Sequence, residues 1–142
     1  MIAFSANTFG QVTASATATA TIVTPIGIAN AGDMNFGNAA VSAVAGTVIL
    51  APAGTRTTSG GVTLPATPGT VSAAHFNVTG TANFTYTITL PSTATTVTSG
   101  GNTMTVDVFT STPSGTGTLS GAGAETIDVG ATLNVGISQA AG

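Results

Sequence analysis

The chain has 142 residues, one basic side chain (Arg56) and four acidic ones (Asp33, Asp107, Glu125, Asp128), for a net charge of −3 at neutral pH. One cation cannot neutralise a row of phosphates or hold an anionic lipid surface, so nucleic-acid and electrostatic membrane binding are excluded. Cysteine is absent, which removes disulfide frameworks and thiolate metal sites.

Charged residues make up 4% of the sequence, where an ordinary soluble domain carries about 25%. The chain is nevertheless rich in Thr, Val and Ile, residues that favour strands and are scarce in disordered segments. Mean hydropathy is +0.50. Thr, Gly and Pro interrupt every apolar stretch before it reaches the roughly 18 residues a membrane helix needs.

The chain opens on Met1-Ile2-Ala3-Phe4 and then small polar residues. This reads as the end of a signal peptide over residues 1–11, without its basic region. Cleavage points fall near Gly10 or Gln11, or after Ala14-Ser15-Ala16. The domain is expected over residues 12–142.

From Val12 to Thr24, Ala14, Ala16, Ala18, Ala20 and Ile22 share one face and Thr13, Ser15, Thr17, Thr19 and Thr21 the other. That period of two predicts a long strand with one half-buried face. Pro25 and Gly27 stop it, and Ile26 and Ile28 begin a short extended piece. Met34–Gly37 and Thr47–Leu50 read as strands. Ala53–Gly61 reads as a turn-rich arm with Arg56 exposed on a loop, because no carboxylate lies near it in sequence and a buried Arg needs partners. Val62–Leu64, before Pro65 and Pro68, reads as an edge strand.

His75–Thr79 and Asn83–Leu90 alternate cleanly. Thr95–Thr98 and Met104–Val108 flank Ser99-Gly100-Gly101-Asn102, a hairpin signal. Ser111–Gly123 reads as loop. Thr126–Val129 and Leu133–Ile137 are two strands about a turn at Gly130. The core is expected from Phe76, Val78, Phe84, Tyr86, Ile88, Leu90, Met104, Val106 and Val108, and Phe84→Ala should then cost roughly 3–5 kcal/mol. Eight or nine short strands with turn residues between them and no helical period predict an all-β antiparallel sandwich.

No catalytic constellation emerges. His75 lies on the strand face opposite Phe76 and Val78 and reads as a solvated residue. Glu125 and Asp128, at odd separation, fall on opposite faces of one strand. Gly115-Thr116-Gly117 and Gly121-Ala122-Gly123 lack the Lys and the helix of a phosphate loop. No catalytic, cofactor-binding or metal-ligating residue is assigned, no cofactor is expected, and the chain is read as a non-enzyme. The sequons at Asn77 and Asn83 carry little weight in a Thr-rich chain. Thr17, Thr19, Thr21 and Thr85, Thr87, Thr89 could form hydroxyl arrays, although Thr is also the ordinary residue of an outer strand face.

The segments Ala20–Ile26, Met34–Gly37, Ala51–Arg56 with Gly60-Gly61-Val62, Gly130–Val135 and Gln139–Gly142 come in an order that resembles a secreted bacterial domain family of unknown function. That family is itself similar to spore coat protein U and to the pilins of archaic chaperone–usher systems. The resemblance covers nearly everything after Val12. It implies an immunoglobulin-like sandwich, export by the general secretion route, a surface location, an export chaperone, and copies of the chain or related subunits as partners. Family members continue past Ala140-Ala141-Gly142 with a further strand, so the resemblance also implies a sandwich lacking its C-terminal strand. No catalytic residue is transferred. The function expected is a structural or adhesive surface subunit joined into pilus-like polymers by strand addition, with Val12–Thr24 as the donor or as a strand of its own sandwich. The alternative is a stand-alone carbohydrate- or ice-binding module.

Overall fold

A computed structural model describes residues 10–99 and 101–140. Most of the expected leader, residues 1–9, lies outside them. Among the described residues nine antiparallel strands are formed: β1 (Gly27–Gly32), β2 (Gly46–Leu50), β3 (Arg56–Gly60), β4 (Ala74–Thr79), β5 (Thr85–Thr87), β6 (Thr95–Ser99), β7 (Asn102–Thr112), β8 (Thr116–Thr118) and β9 (Ala124–Val135). The described residues contain no helix.

The architecture is an all-β sandwich built around β9. One flank of β9 pairs with β4 over Ala124–Val129 and then with β2 over Ala131–Val135, while its other flank pairs with β7. β1 extends β4, β3 extends β2, and the β6–β7 hairpin completes a seven-stranded sheet. The second layer is smaller. It holds the β5–β8 pair and two extended segments joined by single bridges, Asn35 to Ser72 and Ala40 to Thr63.

Two apolar clusters fill the space between the layers. Val48, Val62, Val106, Ala131, Leu133 and Val135 form the first, capped by Met34, Phe36 and Ala39 of the second layer. Val78, Leu119, Ile127 and Val129 form the second, covered in part by Tyr86, Ile88 and Leu90. Phe109 packs against both.

Several sequence expectations change here. Gly130 lies mid-strand in β9, so the two expected strands are one of 12 residues. Ala53–Gly61 contains β3, and Ser111–Gly123 contains the end of β7 and all of β8. Met34–Gly37 and Val62–Leu64 make isolated bridges only.

Val108 is expected inside but is 68% exposed. The register explains this. Asp107 pairs with Thr132 and Thr110 with Gly130, so β7 carries one extra residue between them. Such a bulge flips the alternation. Val108 turns outward at φ 47°, a strained backbone for a β-branched residue, and Phe109 takes the inward place.

Phe84 is also misplaced by the alternating pattern. It precedes β5 and is 52% exposed. Phe84→Ala is therefore expected to cost about 1 kcal/mol rather than the value for an emptied core site. A denaturant titration checks this, and a loss above about 3 kcal/mol would show the ring to be a core residue.

Candidate functional site

Residues 10–26 belong to no strand and all are exposed. Val12 is 95% and Ile22 98% exposed. The expectation that Val12–Thr24 forms a strand with a half-buried face is thus not met on this chain's own sandwich. The alternation of Ala and Thr suits an edge, but alternation alone supplies no ladder partner. Among the described residues, no hydrogen bond is made by residues 10–23. The first tether is Thr24. Its amide donates to Thr81 Oγ1 at 2.9 Å, and its carbonyl accepts from the same hydroxyl at 3.2 Å.

The arm leaves the domain beside an apolar cleft. The cleft runs between edge strand β1 and the extended stretch Tyr86–Pro91, with Val78, Phe76, Ile127 and Val129 along its floor. It comprises two hollows of about 260 Å³ and 290 Å³ that share Ile28, Ile88, Thr89 and Ile127. Among the described residues β1 pairs only with β4 and β5 only with β8, so each presents a free edge there. Ile26 and Ile28 stand on the rim, 57% and 66% exposed. No charged side chain lines either hollow. A third hollow of about 390 Å³ lies beneath the C-terminal segment, between Asn38, Met104, Leu133 and Gln139.

The cleft exists because the two layers are clasped at one end. Tyr86 of β5 reaches across to β9, where its hydroxyl donates to Glu125 Oε2 at 2.6 Å. Gly117 makes this possible, since a Cβ there would fall 2.7 Å from Glu125 Oε2 and overlap the Tyr86 ring. Burial, then the hydrogen bond and charge of Glu125, push the Tyr86 phenol up to about 12 from 10.0.

A raised pKa means that folding favours the neutral phenol. Its contribution is fully present below pH 10, the unfolded value, and is lost as pH rises through about 12. Tyr86 is the single tyrosine, so phenolate absorbance reads it directly. A midpoint near 12 is expected in the folded protein, with stability falling from pH 10 to 12. Tyr86→Phe should remove that part of the fall and cost about 1 kcal/mol at neutral pH. A midpoint at 10 would show that the clasp does not form.

The remaining polar residues of interest are dispersed. His75 lies on the outer face of β4, as expected, but has a partner: its Nδ1 is 2.6 Å from Asp128 Oδ1 across the β4–β9 ladder. Glu125 and Asp128 fall on opposite faces of β9, one at the clasp and one at His75. Asp33 accepts from Asn30 Nδ2. No group of three metal-ligating side chains occurs among the described residues. Thr85 and Thr87 pair with Thr118 and Thr116, whereas Thr17, Thr19 and Thr21 lie in the unpaired arm.

Arg56 departs from expectation. It begins β3 half-buried, and its guanidinium donates to the carbonyls of Phe36, of Asn38 at 2.9 Å and of Pro68 at 3.5 Å. It needs no carboxylate, because backbone carbonyls brought together from distant segments satisfy it.

The molecule is thus an all-β sandwich domain with an open apolar cleft and an extended uncharged arm. Over residues 26–142 the sequence matches the family described as "Domain of unknown function (DUF4402)". The chain belongs to that family, as its resemblance to a domain family of unknown function implies. No curated protein and no solved structure matches it significantly. The family match begins at Ile26, where the arm gives way to the sandwich.

Proposed function

We propose that this chain is a non-catalytic, exported structural or adhesive subunit of the cell surface, joined to further subunits by strand addition. Its similarity to spore coat protein U and to archaic chaperone–usher pilins belongs to this proposal. One observation carries it: the described residues hold both an uncovered apolar cleft with free strand edges and a detached, alternating, uncharged arm.

The chemistry is complementary. Free edges offer unpaired amides and carbonyls that recruit a strand. The arm brings its own unpaired amides and carbonyls, with Ala side chains small enough for a narrow cleft and Thr for the outer side. The cleft has no charge to demand a counter-charge, and the arm has none to bury.

Sedimentation of the full chain over a range of concentrations tests the reading. Self-association is expected, and Ile28→Asp, which places a charge on the exposed cleft rim, should abolish it while leaving the fold intact. A chain that stays monomeric at high concentration would overturn assembly by strand addition. Immunogold electron microscopy of intact cells addresses the surface location, and label confined to the cell interior would overturn that part.

A further inference from the structure

An arm tied to the rim of its own cleft has a kinetic and thermodynamic advantage over a neighbour's arm. A short flexible tether gives an effective concentration of roughly millimolar. At micromolar protein, a free arm would therefore fold back and fill its own cleft. Assembly through the arm requires something that holds it away.

We propose that Thr81 is that device: a positioning residue whose hydroxyl clips Thr24 so that the arm is directed outward, to a second copy of this chain. The inference rests on the strand-addition reading above and adds what decides between self-closure and assembly.

The geometry is as follows. In the β1–β4 ladder Gly27 pairs with Thr79, and Ile28 with Val78. Continued, that ladder would set Ile26 opposite Gly80 and Pro25 opposite Thr81; Thr24 meets Thr81 one residue out of this register. There the Thr81 side chain replaces backbone, satisfying both the amide and the carbonyl of Thr24. Gly80 lies between the two contacts. A Cβ at Gly80 would be 3.5 Å from Ile26 Cα and 3.7 Å from the Pro25 carbonyl oxygen, so Pro25 and Ile26 lie alongside it. Residues 24–26 are thereby seated along the line of β1, beyond its start. A return along the free edge of β1 by reversal within these residues would pull Thr24 off Thr81.

Three variants and one peptide test this. Thr81→Val keeps the shape and removes both bonds. Thr81→Ser keeps the hydroxyl. Thr24→Pro removes the amide donor from the arm side, leaving the sandwich untouched should Thr81→Val fold poorly. Half-association should move to an up to about thirtyfold higher concentration in Thr81→Val, the factor that two net hydrogen bonds command, and should also rise in Thr24→Pro. Thr81→Ser should behave as the wild type.

Hydrogen exchange at high dilution gives the second readout. Residues 12–23 should exchange freely in wild-type monomer and be protected in Thr81→Val monomer, where the arm has closed on its own cleft. A labelled peptide of residues 12–24, added to the full wild-type chain, reports on the cleft separately. Peptide binding with unchanged association and an unprotected arm in both variants would overturn the clip and leave strand addition standing. No peptide binding and no self-association in the wild type would overturn both.

Discussion

Gly130→Ala is expected to lose about 3 kcal/mol or more, an overpacking cost at the high end because the obstacle is backbone. Gly130 sits at the midpoint of β9, fully buried, where the flank of the strand changes partner from β4 to β2. At this gap the chain leaving β2 crosses close over β9. A Cβ on Gly130 would overlap the Leu50 carbonyl oxygen and lie 2.7 Å from Ala51 C and 2.8 Å from Pro52 N. None of those atoms belongs to a side chain that could rotate aside. Relief would require moving the end of β2, with Leu50 only 1% exposed in the core, or bending β9 away from β7. Equilibrium unfolding in denaturant measures the loss. A change below about 1 kcal/mol would show that the crossing is looser than described.

Arg56→Gln should cost about 3 kcal/mol and lower the melting temperature by several degrees. The guanidinium is the fastener of the second layer. The Phe36 and Asn38 carbonyls it holds belong to the segment that lays Met34, Phe36 and Ala39 over the first apolar cluster, and the Pro68 carbonyl to the segment beside it. Those segments are otherwise joined by two isolated bridges, by the Asn38 amide donating to the Pro68 carbonyl at 2.6 Å, and by a few side-chain contacts, among them Asn38 Nδ2 to the Thr67 carbonyl and Ser72 Oγ to the Asp33 carbonyl. A Gln side chain is shorter and cannot fork to three acceptors. Arg56→Lys should fall between, since an ammonium keeps the charge but not the planar fork. A melting temperature unchanged in Arg56→Gln would return Arg56 to the solvent-exposed role its sequence neighbourhood suggests.

The two predictions mark where the sequence alone runs out. Strand identity is a local property: it depends on which side chains tolerate a pleated, half-buried surface. His75–Thr79, the Thr95–Val108 hairpin and Thr47–Leu50 are therefore legible as strands from their own residues, and so is the all-β sandwich. The scarcity of charge is likewise written in the composition. Partner choice is not local. Val12–Thr24 has the cleanest alternation in the chain and pairs with nothing in its own sandwich among the described residues, because alternation prepares an edge without specifying the other edge. One extra residue in β7 exchanges Val108 for Phe109 in the core, and no period-two pattern contains that slip. Gly130 and Gly117 look like turn glycines in sequence. The tertiary structure assigns them to two close approaches, a backbone crossing and an aromatic ring, made by residues more than thirty positions away. Arg56 has no carboxylate near it in sequence, and only folding brings together the three carbonyls that hold it. The cleft, too, arises only from folding, as the space left between β1 and the Tyr86–Pro91 stretch when the two layers close on each other.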